Sequence, residues 1–280
     1  MINGFLLINK EPGITSSRVV QILKKKFNLK KVGHLGTLDP MASGLLIIVI
    51  NRATKFASLL LQSEKSYRAE VTLGIQTDTD DVEGEVISSK KIDSSRQEIE
   101  EILLTFLGES NQFAPVYSAL KHKGKPMYKY AREGIKVKKE ARKIFIKKID
   151  NILIDFPRVS FDIACSKGTY IRSIARDLGV KIGCGAHLSN LIRTSQQKFK
   201  LKDAYLIDDV GIENVISLEK AFDDLDSIQL NKIDSKVFLH GRPIELDITH
   251  NDLLKVYDSS NEFIAIGKNS IKGFKHEYLV

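Results

Sequence analysis

Alternating and fully apolar stretches along the chain predict five β-strands. GFLLINK at residues 4–10 predicts a strand, and LLIIVI at 45–50 is continuously apolar, which is typical of a strand buried on both faces. Residues 67–73 alternate between apolar and polar positions, and the longer stretches 144–156 and 159–165 are rich in isoleucine, valine and phenylalanine. Because β-branched and aromatic residues favour strands, we expect these segments to form a sheet.

Helical spacing of apolar residues predicts helices between these strands. Thr15 or Ser16 can cap the first helix, Ser95 with Glu98 forms the capping box of a second, and a third is expected to begin after Gly168. The apolar residues that would face the core of each helix are Val19, Ile22, Leu23 and Phe27, then Ile99, Ile102, Leu103 and Phe106, then Ile171, Ile174, Ala175, Leu178 and Ile182.

Two segments lack an apolar period and are predicted to be loops. Residues 28–44 contain three glycines and a proline, which indicates a structured loop. The polar segment 75–86 contains aspartates that suggest a calcium loop. An EF-hand loop that starts at Asp78 would need glycine at 83 and glutamate at 89, where the chain has Glu83 and Ser89. A solvated turn is therefore expected.

The predicted elements do not alternate regularly between strand and helix, which argues against a doubly wound fold. They predict an α+β fold with a mixed, largely antiparallel sheet flanked by helices. From about residue 228, short apolar runs broken by turns (IQL, VFLHGRP, LLKVYD and FIAIG) predict a small all-β unit. The acidic residues 221–227 are the expected linker, so we predict domains of 1–227 and 228–280.

Composition limits the classes of protein that fit this chain. With 280 residues, 42% hydrophobic and 28% charged, it is typical of a folded soluble protein. Its longest apolar run has six residues, whereas a membrane-spanning helix needs about 20, and the N-terminal apolar stretch is too short for a signal peptide. We therefore expect a cytoplasmic protein in which Cys165 and Cys184 are buried and reduced.

The sequence lacks the common motifs for cofactors. There is no Walker loop, no CxxC pair and no closely spaced histidine pair for a metal ion. Residues 183–188 begin like a dinucleotide fingerprint, but Leu188 stands where that fingerprint requires glycine or alanine. We therefore expect neither a nucleotide cofactor nor a metal ion.

The charge of the chain is strongly segregated. The formal net charge is +8, but residues 121–148 alone carry +10 and residues 203–262 carry −9. Aromatic residues such as Tyr128 and Tyr130 lie within the basic segment, and a second basic cluster occupies 24–31. Cations that neutralise phosphates and flat rings that stack on bases together favour RNA as the partner rather than a membrane surface.

The glycine-rich segment 31–46, KVGHLGTLDPMASGLL, is the strongest candidate for chemistry. Asp39 precedes Pro40, which excludes the helical conformation and places the aspartate in an extended or turn conformation. A carboxylate there, just before the buried strand 45–50, would be rigid and exposed at the end of the sheet. An ordinary Asx-turn is the alternative, and these residues alone favour it.

Four blocks carry a resemblance to a known family. They are GHLGTLDPMASGLL at 33–46, KSYRAEVTLGIQTDTDDVEG at 65–84, YSALKHKGKPMYKYAREG at 117–134, and CSKGTYIRSIARDLG with CGAHLSNLIRT within 165–194. In this order they resemble the bacterial TruB-type tRNA pseudouridine synthases over about residues 4–200. The region after 228 resembles their small PUA-like domain more weakly.

The resemblance implies the isomerisation of uridine 55, in the T-loop of tRNA, to pseudouridine. The N1–C1′ bond breaks, the uracil turns, and the base rejoins the sugar through C5, without a cofactor or metal ion. Asp39 matches the catalytic aspartate, which adds to the sugar or stabilises its positive charge. Arg172 matches the arginine that pairs with this aspartate and would keep it ionised through the neutral pH range.

The other site residues also follow from the resemblance. Tyr67 would stack on the uracil, and Tyr170 and Leu191 would line the uracil pocket. His34 would fill the space that the flipped-out nucleotides leave. The basic segment matches an insertion, at about 115–148, that closes over the T-arm, and the expected RNA contacts are Lys121, Lys123, Lys125, Lys129 and Arg132.

Two other functions compete with the isomerase. The first is a non-catalytic tRNA-binding or tRNA-folding module on the same scaffold, which would not need Asp39, Tyr67 and Arg172 together. The second is a glycosidase that hydrolyses the N-glycosidic bond and releases free uracil. For the isomerase we expect tRNA as partner, no membrane association and a monomer.

Overall fold

We describe the fold from a computed structural model, which covers residues 2–61, 63–117, 121–122, 124–127, 130, 133, 135, 140–246 and 253–280. The strands are β1 (Gly4–Lys10), β2 (Val32–Leu35), β3 (Ser43–Ile50), β4 (Lys65–Leu73), β5 (Ile75–Thr77), β6 (Val86–Ser89), β7 (Gly108–Gln112), β8 (Lys121–His122), β9 (Lys125–Pro126), β10 (Arg142–Asp155), β11 (Arg158–Cys165), β12 (Ala186–Gln196), β13 (Phe199–Lys200), β14 (Ser227–Gln229), β15 (Leu253–Tyr257), β16 (Phe263–Ser270) and β17 (Gly273–Leu279). The α-helices are α1 (Ser16–Lys26), α2 (Ala57–Leu61), α3 (Arg96–Leu104), α4 (Ile171–Ile182), α5 (Leu218–Ala221) and α6 (Lys232–Leu239), and the short 3₁₀ helices are Asn51–Phe56, Leu201–Asp203 and Ile212–Asn214. Among the helices of these residues, none has the length and apolarity needed to cross a membrane.

The described residues form one large mixed sheet of nine strands. Its order is β1-β3-β12-β4-β11-β10-β7, with β2 also paired to β3 and β13 to β12. Neighbouring strands run antiparallel except β3 and β12, which run parallel. Helix α4 contacts β12 and β4, and α3 contacts α4 and β10. This architecture confirms the predicted α+β fold.

The central strands are apolar on both sides because both faces of the sheet are covered. In β3, Leu46 and Ile48 belong to the main core, which also includes α1, α3 and α4. The alternate residues Leu45 and Ile47 belong to a second apolar cluster on the opposite face. Successive side chains of a strand point to opposite faces, so a continuous apolar run is what such a position requires.

Strand β2 corrects the prediction that residues 28–44 form a loop throughout. Val32–Leu35 pairs antiparallel with β3, and His34 lies opposite Ile48. Its first three residues are only partly buried, so no alternation of apolar and polar side chains marks the strand. Backbone pairing with β3, the next strand along the chain, forms β2, and such pairing needs no periodic side-chain pattern within these four residues.

The C-terminal residues form a second, four-stranded sheet in the order β14-β15-β16-β17. The run VFLHGRP (237–243), expected to be strand, instead contains the end of helix α6, because its first three residues are helical and the rest follow the helix. The Asn231 side chain accepts hydrogen bonds from the backbone N–H groups of Ile233 and Asp234, which caps this helix, and Phe238 is fully buried. A short apolar run fits a helix or a strand equally well, and the cap was the overlooked signal.

Candidate active site

Asp39 lies in the turn between β2 and β3, where side chains from β1 and α1 fix both of its neighbours. The Ser16 hydroxyl accepts a hydrogen bond from the Leu38 backbone N–H (2.9 Å) and donates one to the Leu38 carbonyl (3.0 Å). The Lys10 ammonium group donates to the Pro40 carbonyl (3.2 Å) and to the Ile14 carbonyl (2.6 Å). Asp39 is thus carried on a short segment whose backbone is fixed on both sides.

Arg172, in the first turn of α4, binds the Asp39 carboxylate through two atoms of its guanidinium group. Its Nε lies 2.9 Å from Oδ2 of Asp39, and its Nη2 donates to Oδ1 at 3.1 Å. The same guanidinium contacts Oδ2 of Asp81 at 3.2 Å and donates to the carbonyls of Thr79 (3.2 Å) and Tyr117 (2.9 Å). Arg172 therefore joins the β2–β3 turn to two other segments.

The acidic segment 75–86 is not the solvated turn that the sequence predicts. Thr77, Asp80 and Asp81 are buried, and β5 pairs with β6 across the segment. Oδ1 of Asp81 accepts hydrogen bonds from the Thr79 hydroxyl (2.6 Å) and the Glu83 backbone N–H (3.1 Å), while its Oδ2 meets Arg172. A buried ion pair with the helix thus replaces exposure to water.

Asp80 forms a second link between this segment and α4. Its Oδ2 lies 3.1 Å from Nη1 of Arg176, one helical turn after Arg172. Residues four apart lie on the same face of a helix, so the two arginines present paired cations to the two adjacent aspartates. This spacing is the sequence signal that could have revealed the contact.

Asp39 is the open end of the buried charge network. Its side chain is 32% exposed, whereas those of Arg172 and Asp81 are 6% and 4% exposed. The protein atoms around it still displace enough water that burial raises the pKa of Asp39, and the charge of Asp81 adds to this rise, while Arg172 and Lys10 oppose it. The predicted ion pair is present, but the pKa shifts opposite to the direction that pairing alone would give.

Tyr67 lies on β4 directly opposite Arg193 of β12, and the two side chains are hydrogen-bonded. Burial raises the pKa of Tyr67 to about 12 despite the nearby arginine. Arg193 is 1% exposed, and its guanidinium donates to the carbonyls of Leu45 (2.6 Å) and Gly36 (3.1 Å). One side chain thereby binds both ends of the segment that carries Asp39, and sequence analysis missed it.

The remaining predicted site residues lie on neighbouring elements. Leu191 is buried on β12 opposite Ala69, two residues along each strand from the Arg193–Tyr67 pair, and so on the same face of the sheet. Tyr170 is the N-cap residue of α4. His34 lies on β2, where burial, and then the charge of Arg193, lower its pKa, and its Nδ1 is buried with no hydrogen-bond partner among the described residues.

The predicted RNA contacts fall mostly outside the described residues. Lys123, Lys129 and Arg132 lie outside them. Lys121 and Lys125 lie in β8 and β9, which pair as a two-stranded hairpin, but their side chains lie outside the described part. The structure therefore shows where the basic segment begins and ends in the fold, and its contacts with RNA stay a prediction.

Comparison with known sequences identifies close relatives. Residues 24–171 match the model of the TruB family pseudouridylate synthase (N terminal domain). The tRNA pseudouridine synthase B of Clostridium perfringens is 40% identical over 291 residues, covering 100% of this chain and 99% of the relative. That of Chromobacterium violaceum is 40% identical over 285 residues (98% and 93%), and that of Alkaliphilus oremlandii is 47% identical over 215 residues (76% and 72%).

Solved structures share the fold over nearly the whole chain. A Cbf5-Nop10-Gar1 complex contains a chain with a TM-score of 0.71 and 26% identity, covering 99% of this chain and 84% of that one. An H/ACA RNP bound to a substrate RNA containing 2′-deoxyuridine gives a TM-score of 0.71 and 25% identity with the same coverage. The family match contains Asp39 and Tyr67 and ends one residue before Arg172.

Proposed function

The chain belongs to the TruB family of tRNA pseudouridine synthases and is an isomerase, and from this premise we propose that it converts uridine 55 in the T-loop of tRNA to pseudouridine with Asp39 as the catalytic residue. The observation that carries the proposal is the Asp39 carboxylate itself. It is bound on one side by Arg172 and open on the other, at a turn whose backbone is fixed. A negative charge so placed can face the ribose C1′ of a nucleotide.

The reaction conserves every atom of the uridine. The N1–C1′ bond breaks, the uracil turns within the pocket, C5 bonds to C1′, and the proton lost from C5 is balanced by one gained at N1. Loss of the base leaves positive charge on the sugar, and the Asp39 carboxylate stabilises that charge or bonds to it. Because Arg172 binds both carboxylate oxygens, it would orient this group toward the sugar.

The neighbouring side chains would enclose the uracil. Tyr67 would stack on the ring, because the pKa of about 12 makes its hydroxyl a poor base at neutral pH. Tyr170 and Leu191 would form other walls of the pocket, and His34 would occupy the space left in the RNA by the flipped-out nucleotides. Extruding a base costs a few kcal/mol of stacking, which an inserted ring would lower.

Binding of the tRNA is assigned to two basic segments. The first is the insertion at about 115–148 with Lys121, Lys123, Lys125, Lys129 and Arg132, and the second is 24–31. Phosphate neutralisation by such clusters supplies most of the affinity of RNA-binding proteins. In this scheme residues 1–227 form the catalytic domain and 228–280 a small PUA-like domain. Residues 203–262 carry a net charge of −9, so most of the binding is assigned to the two basic segments.

The decisive experiment is the substitution Asp39→Asn, assayed on unmodified tRNA by mapping the position of any pseudouridine. The amide keeps the size of the side chain but removes the negative charge, so we expect tRNA binding within about twofold of wild type and no detectable isomerisation. Asp93→Asn, at an exposed position that pairs with the exposed Lys91, is the matched control and should behave as wild type.

Other outcomes would contradict the proposal in distinct ways. Normal isomerisation by the Asp39→Asn variant would remove Asp39 from the mechanism. Pseudouridine at another position of the tRNA would change the substrate site. Release of free uracil, detected by mass spectrometry, would show a hydrolytic glycosidase, and binding of tRNA by the wild type without any product would show a non-catalytic module.

A further inference from the structure

Gln112, the last residue of β7, binds the backbone of Tyr170, just before the first residue of α4, through both polar atoms of its side-chain amide. Its Nε2 donates to the Tyr170 carbonyl (3.1 Å), and its Oε1 accepts from the Tyr170 backbone N–H (2.8 Å). Gln112 is 2% exposed. Tyr170 is the N-cap residue of α4, and its own side chain makes no capping hydrogen bond. A distant glutamine therefore fixes the backbone where α4 begins.

The residues after Gln112 continue this attachment along α4. The Phe113 carbonyl accepts hydrogen bonds from the Ser173 hydroxyl (2.9 Å) and from Nη2 of Arg176 (3.2 Å). The Tyr117 carbonyl accepts from Nη2 of Arg172 (2.9 Å), the same nitrogen that binds Asp39. The segment 112–117 thus lies along the first two turns of α4, with its carbonyls facing the helix.

This segment is also the beginning of the basic insertion. Beyond Tyr117 the chain passes through the basic residues and returns at Arg142, which pairs with Gln112 in the sheet. The Gln112–Arg142 pair therefore joins the strand that precedes the insertion to the segment that contains its last basic residues.

We propose that Gln112 is a positioning residue for the catalytic carboxylate, because it fixes the start of α4 and with it Tyr170 and Arg172. The inference rests on the proposed function, since it assumes that Asp39 is the catalyst. The position requires an amide, because the two backbone groups of Tyr170 call for one donor and one acceptor on the same side chain. Glutamate, at equal size, supplies only acceptors when ionised.

Gln112→Glu is the main test, because its effect should depend on pH. The ionised carboxylate accepts from the Tyr170 N–H but faces the Tyr170 carbonyl without a proton. The protonated form restores both hydrogen bonds, and burial raises the pKa of such a carboxyl group. We expect kcat at pH 8 to fall about tenfold, which is the effect of a mispaired buried polar group. The Kd for tRNA should stay within about twofold of wild type. As the pH is lowered to about 6, the ratio of variant to wild-type kcat should rise toward one.

Two further variants exclude a merely structural effect. Gln97→Glu is the matched control, because Gln97 is exposed and bonds to Glu101 of its own helix, and it should match wild type at every pH. Gln112→Met keeps the volume without either hydrogen bond, and its kcat should stay low at every pH while amide hydrogen exchange at residues 170–174 becomes faster. If Gln112→Glu does not fold, the kcat and exchange rates of Gln112→Met decide the question.

The outcomes separate this inference from the proposed function. A wild-type kcat for Gln112→Glu at pH 8, a deficit that does not change with pH, or a change confined to the Kd for tRNA would overturn the role of Gln112. In each case Asp39→Asn would still be inactive and the proposed function would stand. A wild-type protein that makes no pseudouridine in tRNA would overturn the proposed function, and the role of Gln112 with it.

Discussion

At the scale of single residues, the active-site candidate is a chain of charges in which Arg172 separates two carboxylates. Asp39 and Asp81 lie on opposite parts of the same guanidinium, and each would repel the other if the arginine were removed. The charge of Asp81 raises the pKa of Asp39. Asp81 therefore affects the proposed catalyst in two ways: it fixes the arginine and it disfavours the ionised form of Asp39.

The substitution Asp81→Asn separates these two effects. Since Asp39 must be ionised, wild-type activity should rise with pH. The midpoint of this rise, the acid limb of the profile, should lie above the ordinary aspartate pKa of 3.8, because burial raises the pKa of Asp39. Removing the negative charge of Asp81 favours ionised Asp39, so the acid limb should move to lower pH. At the same time kcat on the plateau should fall about tenfold or more, since a buried charge-assisted contact to Arg172 is lost.

The measurement is kcat against pH for wild type, Asp81→Asn and a control in the same segment. Glu85→Gln removes an exposed negative charge two residues after Glu83 and should leave both plateau and acid limb in place. An acid limb that stays fixed or moves to higher pH in Asp81→Asn would contradict the assigned coupling between the two aspartates.

How far the sequence predicts the site differs from residue to residue. The Asp39–Arg172 pair was predicted from the motif blocks, since an Asp-Pro pair by itself favours an Asx-turn. Asp81 and Arg193 were missed because the sequence does not show whether a charged residue is buried or exposed to water. Only the spacing of Arg172 and Arg176 relative to the adjacent aspartates carries a local trace of the contact. Arg193 leaves none, because its acceptors are backbone carbonyls.

At the scale of elements, prediction succeeded where side-chain periodicity is strong and failed where backbone pairing decides. The capping box of Ser95 and Glu98 begins α3 as expected, and the apolar run 45–50 lies in β3. Strand β2 and the β5–β6 hairpin were missed, since their residues pack on one side at most. Both lie beside Asp39, so the site is built from the segments with the weakest periodic signal.

The basic insertion yields a prediction at this scale. Replacing Lys121, Lys123 and Lys125 together with glutamine should flatten the salt dependence of tRNA affinity, because each lost phosphate contact lowers the log–log slope by about 0.7–0.9. The Kd should rise at low salt, whereas kcat at saturating tRNA should change little, since none of these residues faces Asp39 in the proposed mechanism. Titrations at several salt concentrations give the slope.

A matched control removes three positive charges elsewhere. Lys90, Lys91 and Lys181 lie outside the basic insertion, where Lys90 binds the Gly183 carbonyl and Lys181 the Thr105 hydroxyl. Their replacement by glutamine should leave the slope unchanged. An equal loss of slope in both triple variants would indicate a general charge effect and would place the binding surface outside the insertion.

At the scale of the whole molecule, the sequence predicts two units but not their shared core. The C-terminal sheet packs on the face of the large sheet opposite the candidate active site, since Ile266 of β16 belongs to the same apolar cluster as Phe5 and Leu45. Alternation within strands shows that β3 is covered on both faces, but it does not show which segment covers each face. A partner that lies some 200 residues away leaves no periodic signal near β3.

This shared core predicts that the two sheets unfold together. Phe56 is fully buried between them, with ring centroids 5.9 Å from Phe222 and 5.4 Å from Tyr278. Phe56→Ala should lower the free energy of unfolding by about 3–5 kcal/mol, as expected for a buried phenylalanine, within a single transition followed by circular dichroism in urea. Leu153→Ala, at a position that is 66% exposed, is the control and should cost well under 1 kcal/mol.

At low temperature kcat should be retained in both variants, because Tyr67 and Leu191 pack in the cluster on the other face. Two separate transitions in the wild type, with Phe56→Ala shifting only one of them, would show instead that the C-terminal sheet is stabilised independently of the face on which it rests.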